Sequence, residues 1–300
     1  MNQFLPSQPD DQAAFLSAIG DASALMGAGR FQEAIDLLMA MPEAVRKHPV
    51  ACNTLAFLML HTDQAKEAVT WFEAAMSVSP GDPQAIKGLG QACHANGEFS
   101  RALGCYDILL ASVKADQIDV TYKRALLLID MNNLDAALES LDKVIGLDPA
   151  HVLAHAKRSE ILQNRGDLQG AIFAAHESCK AKPGDAAGWI RLGTLLQKGN
   201  QNGQAIIAYD RGLKIAPDDF SGLYNKALAL RDLGKPRDAL YFAQKALMVD
   251  GTDREVLLLC GSLEQMIGNI EAAKACFRQV AAMGAARHYP AVPQPANSAR

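Results

Sequence analysis

A fixed spacing runs through this chain and limits what it can fold into. Pro149, Pro183 and Pro217 stand 34 residues apart, and Gly251 falls at the next step. The segment 166–171 (GDLQGA) returns in altered form at 97–102, 200–205 and 234–239. Laid along the chain, this period gives units 15–48, 49–82, 83–117, 118–151, 152–185, 186–219, 220–253 and 254–287. Seven have 34 residues and one has 35, and together they cover 273 of the 300 residues. Self-similarity at this period marks a repeat architecture, in which each unit is one supersecondary element that buries its apolar face only against its neighbours.

Three columns of the repeat carry physical meaning. The eighth residue is Ala22, Ala56, Gly90, Ala125, Ser159, Gly193, Ala227 or Gly261, small every time. The twentieth is alanine throughout: Ala34, Ala68, Ala102, Ala137, Ala171, Ala205, Ala239 and Ala273. Small residues at both places let two helices approach closely, as an antiparallel hairpin requires. Between them the fifteenth residue is Gly29, Asp63, Gly97, Asn132, Gly166, Asn200, Gly234 or Gly268. Those three residue types best tolerate the left-handed conformation that ends a helix. Each unit is therefore expected to be helix, tight turn, helix.

On these residues the chain resembles the tetratricopeptide repeat family, whose pattern is W-x2-L-G-x2-Y, then A-x3-F, then P. The sixth unit carries Trp189, Leu192, Gly193, Leu196, Ala205, Tyr209 and Pro217. The second supplies Leu55, Ala56, Ala68, Phe72 and Pro80, and the third Leu89, Gly90, Ala102 and Tyr106. The resemblance implies an all-α, right-handed α-solenoid of eight hairpins, with a concave groove lined by the first helix of each. It also implies a non-enzymatic scaffold that holds a partner protein or peptide in that groove. Two departures stand out. The third unit has one extra residue and ends in 112–116 (SVKAD) without its proline, so its exit loop is expected to shift the local curvature. The first unit lacks the aromatic and leucine signature, and Asp10 or Asp11 is expected to cap its first helix ahead of the repeat frame. Residues 1–14 are then an N-terminal extension, and 288–300, with Pro290, Pro293 and Pro295, read as a linker or tail.

Composition narrows the function. Lys and Arg number 29 against 33 Asp and Glu, a formal −4, which argues against a nucleic-acid partner. The longest apolar run, 55–60, is far short of a membrane span, and 1–12 lacks the charged start and apolar run of a secretory signal. A soluble, cytoplasmic protein is expected, with no direct membrane insertion. The six cysteines form no CxxC pair and are expected to be reduced, packed thiols.

The sixth residue of each unit is expected to face the groove, where it is Lys123, Lys157, Arg191 and Asn225 in units four to seven. Lys87 sits one place earlier in the third unit, and Arg231 lies further along the seventh. Regular stacking would align these side chains into a basic ladder suited to an acidic or phosphorylated segment. Solvated charges with local partners such as Asp119, Asp130 or Glu160 are the competing expectation. Two groove chemistries of the family do not carry over. The clamp for chaperone carboxylates is broken by Gln91, Lys123 and Leu153, and Asn225 alone does not form an asparagine ladder.

No catalytic residue, metal site or cofactor is expected. The chain has no GxSxG elbow, no phosphate loop and no GxGxxG after a strand. His151 and His155 have the spacing of a helical metal pair but lack the intervening glutamate of a zincin. Phe72, Tyr106, Tyr209 and Phe277 share the twenty-fourth column, which reads as core, while Trp71 is placed to face outward. On the last helix, Phe277, Val280 and Met283 have no following unit to cover them, which leaves an end interface for homo-oligomers. Two further functions stay open: an N-terminal regulatory or substrate-presenting arm of a larger transferase, and a self-assembling structural scaffold.

Overall fold

The computed structural model describes residues 9–112 and 116–286, so the tail at 288–300 and most of the N-terminal extension lie outside the described residues. The described chain is all helical, with seventeen helices and no strand. It divides into two compact units, 1–149 and 150–300, parted at the junction between the fourth and fifth repeats.

The first unit holds four hairpins. They are α1 (Pro9–Gly27) with α2 (Phe31–Met39), α4 (Pro49–His61) with α5 (Ala65–Val78), α6 (Pro83–Ala95) with α7 (Phe99–Leu110), and α8 (Gln117–Asp130) with α9 (Leu134–Leu147). A single helical turn, α3 (Glu43–Arg46), joins the first two hairpins. The second unit holds α10 (Val152–Asn164) with α11 (Leu168–Ala181), α12 (Ala186–Lys198) with α13 (Asn202–Ile215), α14 (Phe220–Asp232) with α15 (Pro236–Val249), and α16 (Arg254–Ile267) with α17 (Ile270–Ala286). Within each unit, the second helix of a hairpin packs on the first helix of the next: α5 on α6, α7 on α8, α11 on α12, α13 on α14 and α15 on α16. First helices of neighbouring hairpins also touch, α4 with α6, α6 with α8 and α12 with α14. The first helices thus line one face of each unit and the second helices the other, the layering of an α-solenoid.

The column residues explain the hairpins. All eight turn residues are left-handed, with φ between 56° at Asn132 and 93° at Gly268, and no other described residue has a positive φ. In seven of the eight turns, the next N–H reaches back to a carbonyl five residues earlier, for example Gln64 to Met59 at 2.8 Å and Glu98 to Cys93 at 2.8 Å. That bond closes a Schellman motif and satisfies helix-end carbonyls. The twentieth-column alanines are all buried, Ala273 being the most exposed at 3%. A Cβ on Gly90 would stand 2.8 Å from the Tyr106 ring, and one on Gly193 2.5 Å from the Tyr209 ring. In these hairpins the eighth residue is small because the twenty-fourth-column aromatic of the same hairpin lies on it.

Two expectations are corrected. Helix α1 runs from Pro9, the first described residue, so Asp10 and Asp11 lie within the helix and not at its cap position. The extra residue falls in the first helix of the fourth hairpin and not in the exit loop of the third unit, of which 113–115 lie outside the described residues. First-helix caps stand at His48, Asp82, Asp116, His151, Asp185, Asp219 and Asp253. That register is kept through Asp116, whose side chain accepts from the Asp119 N–H at 3.2 Å. The following turn at Asn132 comes one residue late, so α8 absorbs the insertion and has 14 residues where α4 and α6 have 13.

Candidate functional site

In the first unit, two of the expected cations meet. Lys87 on α6 and Lys123 on α8 both bind the Asp119 carboxylate, at 3.1 and 2.9 Å. Burial pushes the Asp119 carboxyl up, but the hydrogen bonds and charges of Lys123 and Lys87 outweigh it and hold the group below its ordinary value. Beside them, His94 Nε2 lies 2.7 Å from Asp130 Oδ2. Lys123, His94 and Asp130 line a cleft of about 610 Å³ between α6 and α8, together with Gln91, Phe99, Tyr106 and Leu126 among others.

In the second unit, the expected cations find carboxylates close by in sequence. Lys157 Nζ lies 2.9 Å from Glu160, and Arg191 reaches the capping residue Asp185 at 3.8 Å. Arg231 is held by its neighbour Asp232 at 2.8 Å, and Asn225 is half-buried on α14. Of these side chains Arg191 is the most open, at 62% exposure. Exposed ion pairs of this kind stabilise a fold by about 0–1 kcal/mol, so a partner's carboxylate can replace the local one at little cost.

Sequence reasoning missed the charges that fasten one hairpin to the next. Arg124 on α8 donates to Asp107 on α7 at 2.8 Å and to the Ser140 hydroxyl on α9 at 2.9 Å. Lys226 on α14 takes the same place against Asp210 on α13, with its Nζ 3.5 Å from the centroid of the Phe242 ring. Both cations are seventh in their repeats and both acids twenty-fifth in the repeat before. Comparing charges between those two columns would have revealed the pairs. Lys226 is 6% exposed, so this pair is built into the packing.

The remaining candidates are also placed. His151 caps α10, its Nδ1 accepting from the Ala154 N–H at 3.0 Å, while His155 is buried in the helix, so the two do not present one ligand face. Trp71 packs partly buried against the core instead of facing outward. All six cysteines are free thiols, and burial pushes Cys52, Cys179 and Cys260 up to about 11 and Cys93 to about 12. Thiols held that far up are poor nucleophiles at neutral pH. On the last hairpin Phe277 is 38% exposed and Met283 half-buried, whereas Val280 turns inward at 7%. Phe277 lies against Gly261, where a Cβ would stand 2.6 Å from the ring, and lines an open cleft of about 450 Å³ with Glu271, Lys274, Arg278 and Ala281.

Helical hairpins of 34 residues, closed by a left-handed turn and stacked through small residues, define a class of repeat protein. This chain belongs to the tetratricopeptide repeat family. Profiles described as "Tetratricopeptide repeat" match residues 85–119, 122–186 and 190–253, more than half of the chain. Human protein O-mannosyl-transferase TMTC3 is 24% identical over 241 residues, covering 78% of this chain and 26% of that protein. Human mitochondrial import receptor subunit TOM70 is 25% identical over 173 residues, covering 55% of this chain and 28% of that protein. The chain spans about a quarter of the length of these curated relatives. Among solved structures, the C-terminal part of a TPR repeat-containing protein from Cytophaga hutchinsonii superposes with a TM-score of 0.67 at 15% identity, over 80% of this chain and 98% of that one. A tetratricopeptide repeat protein from Parabacteroides merdae gives 0.55 at 17% identity, over 84% and 99%. Family membership supports a protein-interaction scaffold, and the repeat fold is generally a non-catalytic one. No described helix is long and apolar enough to cross a membrane.

Proposed function

We propose that the chain is a non-enzymatic scaffold that binds an acidic, extended segment of a partner protein along the first-helix face of its repeats. The observation that carries this reading is the cleft between α6 and α8, which Lys123 lines together with Phe99, Tyr106 and Leu126. A peptide seated there would bury apolar side chains against Phe99 and Leu126 and place a carboxylate on Lys123, taking over from Asp119. Lys157, Arg191, Asn225 and Arg231 offer the corresponding contacts in the second unit. Six unpaired thiols favour a reducing compartment and hence the cytoplasm. The test is affinity capture from a lysate of the source organism with the native chain and with a Lys123→Glu, Lys157→Glu, Arg191→Glu variant matched by circular dichroism. A partner held by the native chain and lost by the variant supports the reading, and equal capture by both defeats it.

A second reading rests on Phe277, exposed at the end of the last hairpin. There the chain would dock end to end with another copy as a self-assembling scaffold. Sedimentation velocity then shows mass rising with concentration, and Phe277→Glu or Met283→Glu abolishes the rise. The name of the TMTC3 relative favours one more reading, in which these repeats are an arm of a larger transferase. That reading requires a reading frame continuing beyond Arg300.

A further inference from the structure

The cation that fastens one hairpin to the next has two settings in this chain, and one of them leaves a cleft. In the seventh hairpin Lys226 on α14 pairs with Asp210 on α13, and its Nζ lies 3.5 Å from the centroid of the Phe242 ring on α15. In the fourth hairpin Arg124 on α8 donates through Nε to Asp107 on α7 at 2.8 Å and through Nη1 to the Ser140 hydroxyl on α9 at 2.9 Å. Ser140 and Phe242 are both twenty-third in their repeats, so a hydroxyl stands where the other hairpin places a ring. A neighbouring place changes in the same sense, Thr121 replacing the buried Leu223 at the fourth position. The cation is more open as a result, Arg124 at 25% exposure against 8% for Lys226. A cleft of about 550 Å³ lies there, where α7 and α9 both pack on α8, lined by Leu110, Thr121, Arg124, Ser140, Lys143 and Leu147 among others. That volume is within the range of ligand pockets, about 300–1,000 Å³.

The lining identifies what fits. Arg124 is already paired with Asp107, so its charge is answered and an anion gains little from it. Its bonds to Asp107 and Ser140 instead hold the plane of the guanidinium, and a held guanidinium suits an aromatic ring, a contact that arginine makes more often than lysine. Leu110, half-buried, and Leu147, 57% exposed, add apolar surface to the same cleft. Two donors there are left over. Thr121 is 5% exposed, and its hydroxyl makes no hydrogen bond among the described residues. Lys143 pairs with no described carboxylate. A buried hydroxyl without a partner is costly, so a ligand that supplies an oxygen is favoured. The occupant therefore carries a ring for Arg124 and the leucines and an oxygen for Thr121 and Lys143. A phenol has both. Phenylalanine lacks the oxygen, and an aliphatic acid lacks the ring.

We propose that the cleft between α7 and α9 binds a tyrosine side chain of a partner protein, its ring set against Arg124 in the place that Phe242 takes against Lys226. The phenolic oxygen accepts from the Thr121 hydroxyl and the Lys143 ammonium. A polypeptide is the source of the phenol that a protein-interaction scaffold of this family meets. The site lies between second helices, apart from the first-helix face, so it goes beyond the acidic-segment reading and stands without it.

The test uses the full chain with methyl-labelled leucine and a neutral, capped pentapeptide that carries one tyrosine between glycines. The peptide is titrated by NMR with the Leu110 and Leu147 methyl groups as reporters. Companion peptides carry phenylalanine or leucine in place of the tyrosine, and p-cresol represents a free phenol. The tyrosine peptide is expected to shift Leu110 and Leu147 saturably while Leu153, on α10, stays unmoved. The phenylalanine peptide binds about threefold or more weakly, for loss of the oxygen, and the leucine peptide about tenfold or more weakly, for loss of the ring as well. Ser140→Phe puts a ring into the cleft from within and abolishes binding. Thr121→Val removes the hydroxyl at nearly constant size and reduces the preference for tyrosine over phenylalanine, which a purely structural threonine would leave intact. Circular dichroism and the melting temperature confirm that both variants fold, and if Ser140→Phe does not, Thr121→Val carries the decision. No shift at Leu110 and Leu147, equal binding of the tyrosine and leucine peptides, or an unchanged preference in Thr121→Val overturns the proposal. So does a folded Ser140→Phe chain that still binds. Tighter binding of p-cresol than of the tyrosine peptide overturns the protein source and assigns the cleft to a free phenol.

Discussion

One carboxylate, Asp119, ties the first helices of two hairpins together by holding Lys87 through Oδ2 at 3.1 Å and Lys123 through Oδ1 at 2.9 Å. Asp119→Asn is expected to lower stability by about 1 kcal/mol at most, because the three side chains are partly exposed and screened. It also releases two lysines and should tighten binding of an acidic peptide to the first-helix face. The pH dependence has a definite sign. Asp119 is held below its ordinary 3.8, so its contribution is complete above that pH and is lost as the pH falls through the lowered value. Urea unfolding of the native chain and of the Asp119→Asn variant should therefore differ at pH 7 and converge as the pH falls below 3.8 through the lowered value.

Gly88 makes room for the previous hairpin. A Cβ there would lie 2.2 Å from the Phe72 ring, which is fully buried. Gly88→Ala should cost about 1–3 kcal/mol by overpacking. Trimming the ring with Phe72→Leu in the same chain should recover part of that loss, giving a favourable coupling in a double-mutant cycle. Simple additivity would show that the alanine acts elsewhere.

The Lys226–Asp210 pair is asymmetric, its lysine side chain 8% exposed and its aspartate 55%. Removing the buried charge should therefore cost less than removing its exposed partner. Lys226→Met leaves Asp210 in water and is expected to change stability by about 1 kcal/mol or less. Asp210→Ala strands an ammonium group beside Phe242 and should cost about 2 kcal/mol or more. Chemical denaturation of the two variants decides the order.

The turns respond to residue type in opposite directions. Asn200, at φ 57°, is a non-glycine residue in left-handed geometry. Asn200→Gly should stabilise by up to about 1 kcal/mol, and Asn200→Ala should destabilise by about 1 kcal/mol. Thermal melts of both read the two signs directly.

The fold was legible because its columns repeat. Eight left-handed turns, eight buried alanines and the small eighth column each state one steric requirement many times over. The place of the insertion was less legible, because the missing proline near Ser112 marks the loop while the Asp116 cap keeps the register and the extra residue sits in α8. Partners of the groove lysines were only partly legible. Lys157 and Glu160 lie one turn apart in one helix, but Lys87 and Asp119 are 32 residues apart and meet only through stacking. Lys226 was missed because lysine is rarely buried, and only Asp210 together with Phe242 makes it so.

The central claim, that the first-helix face grips an acidic segment, is tested most directly by equilibrium binding. An acidic peptide selected on the immobilised chain would be titrated against native chain and against the Lys123→Glu, Lys157→Glu, Arg191→Glu variant at two salt concentrations. The account predicts affinity about tenfold or more weaker for the variant, with the native affinity falling as salt rises. Equal affinities at both salt concentrations would contradict it.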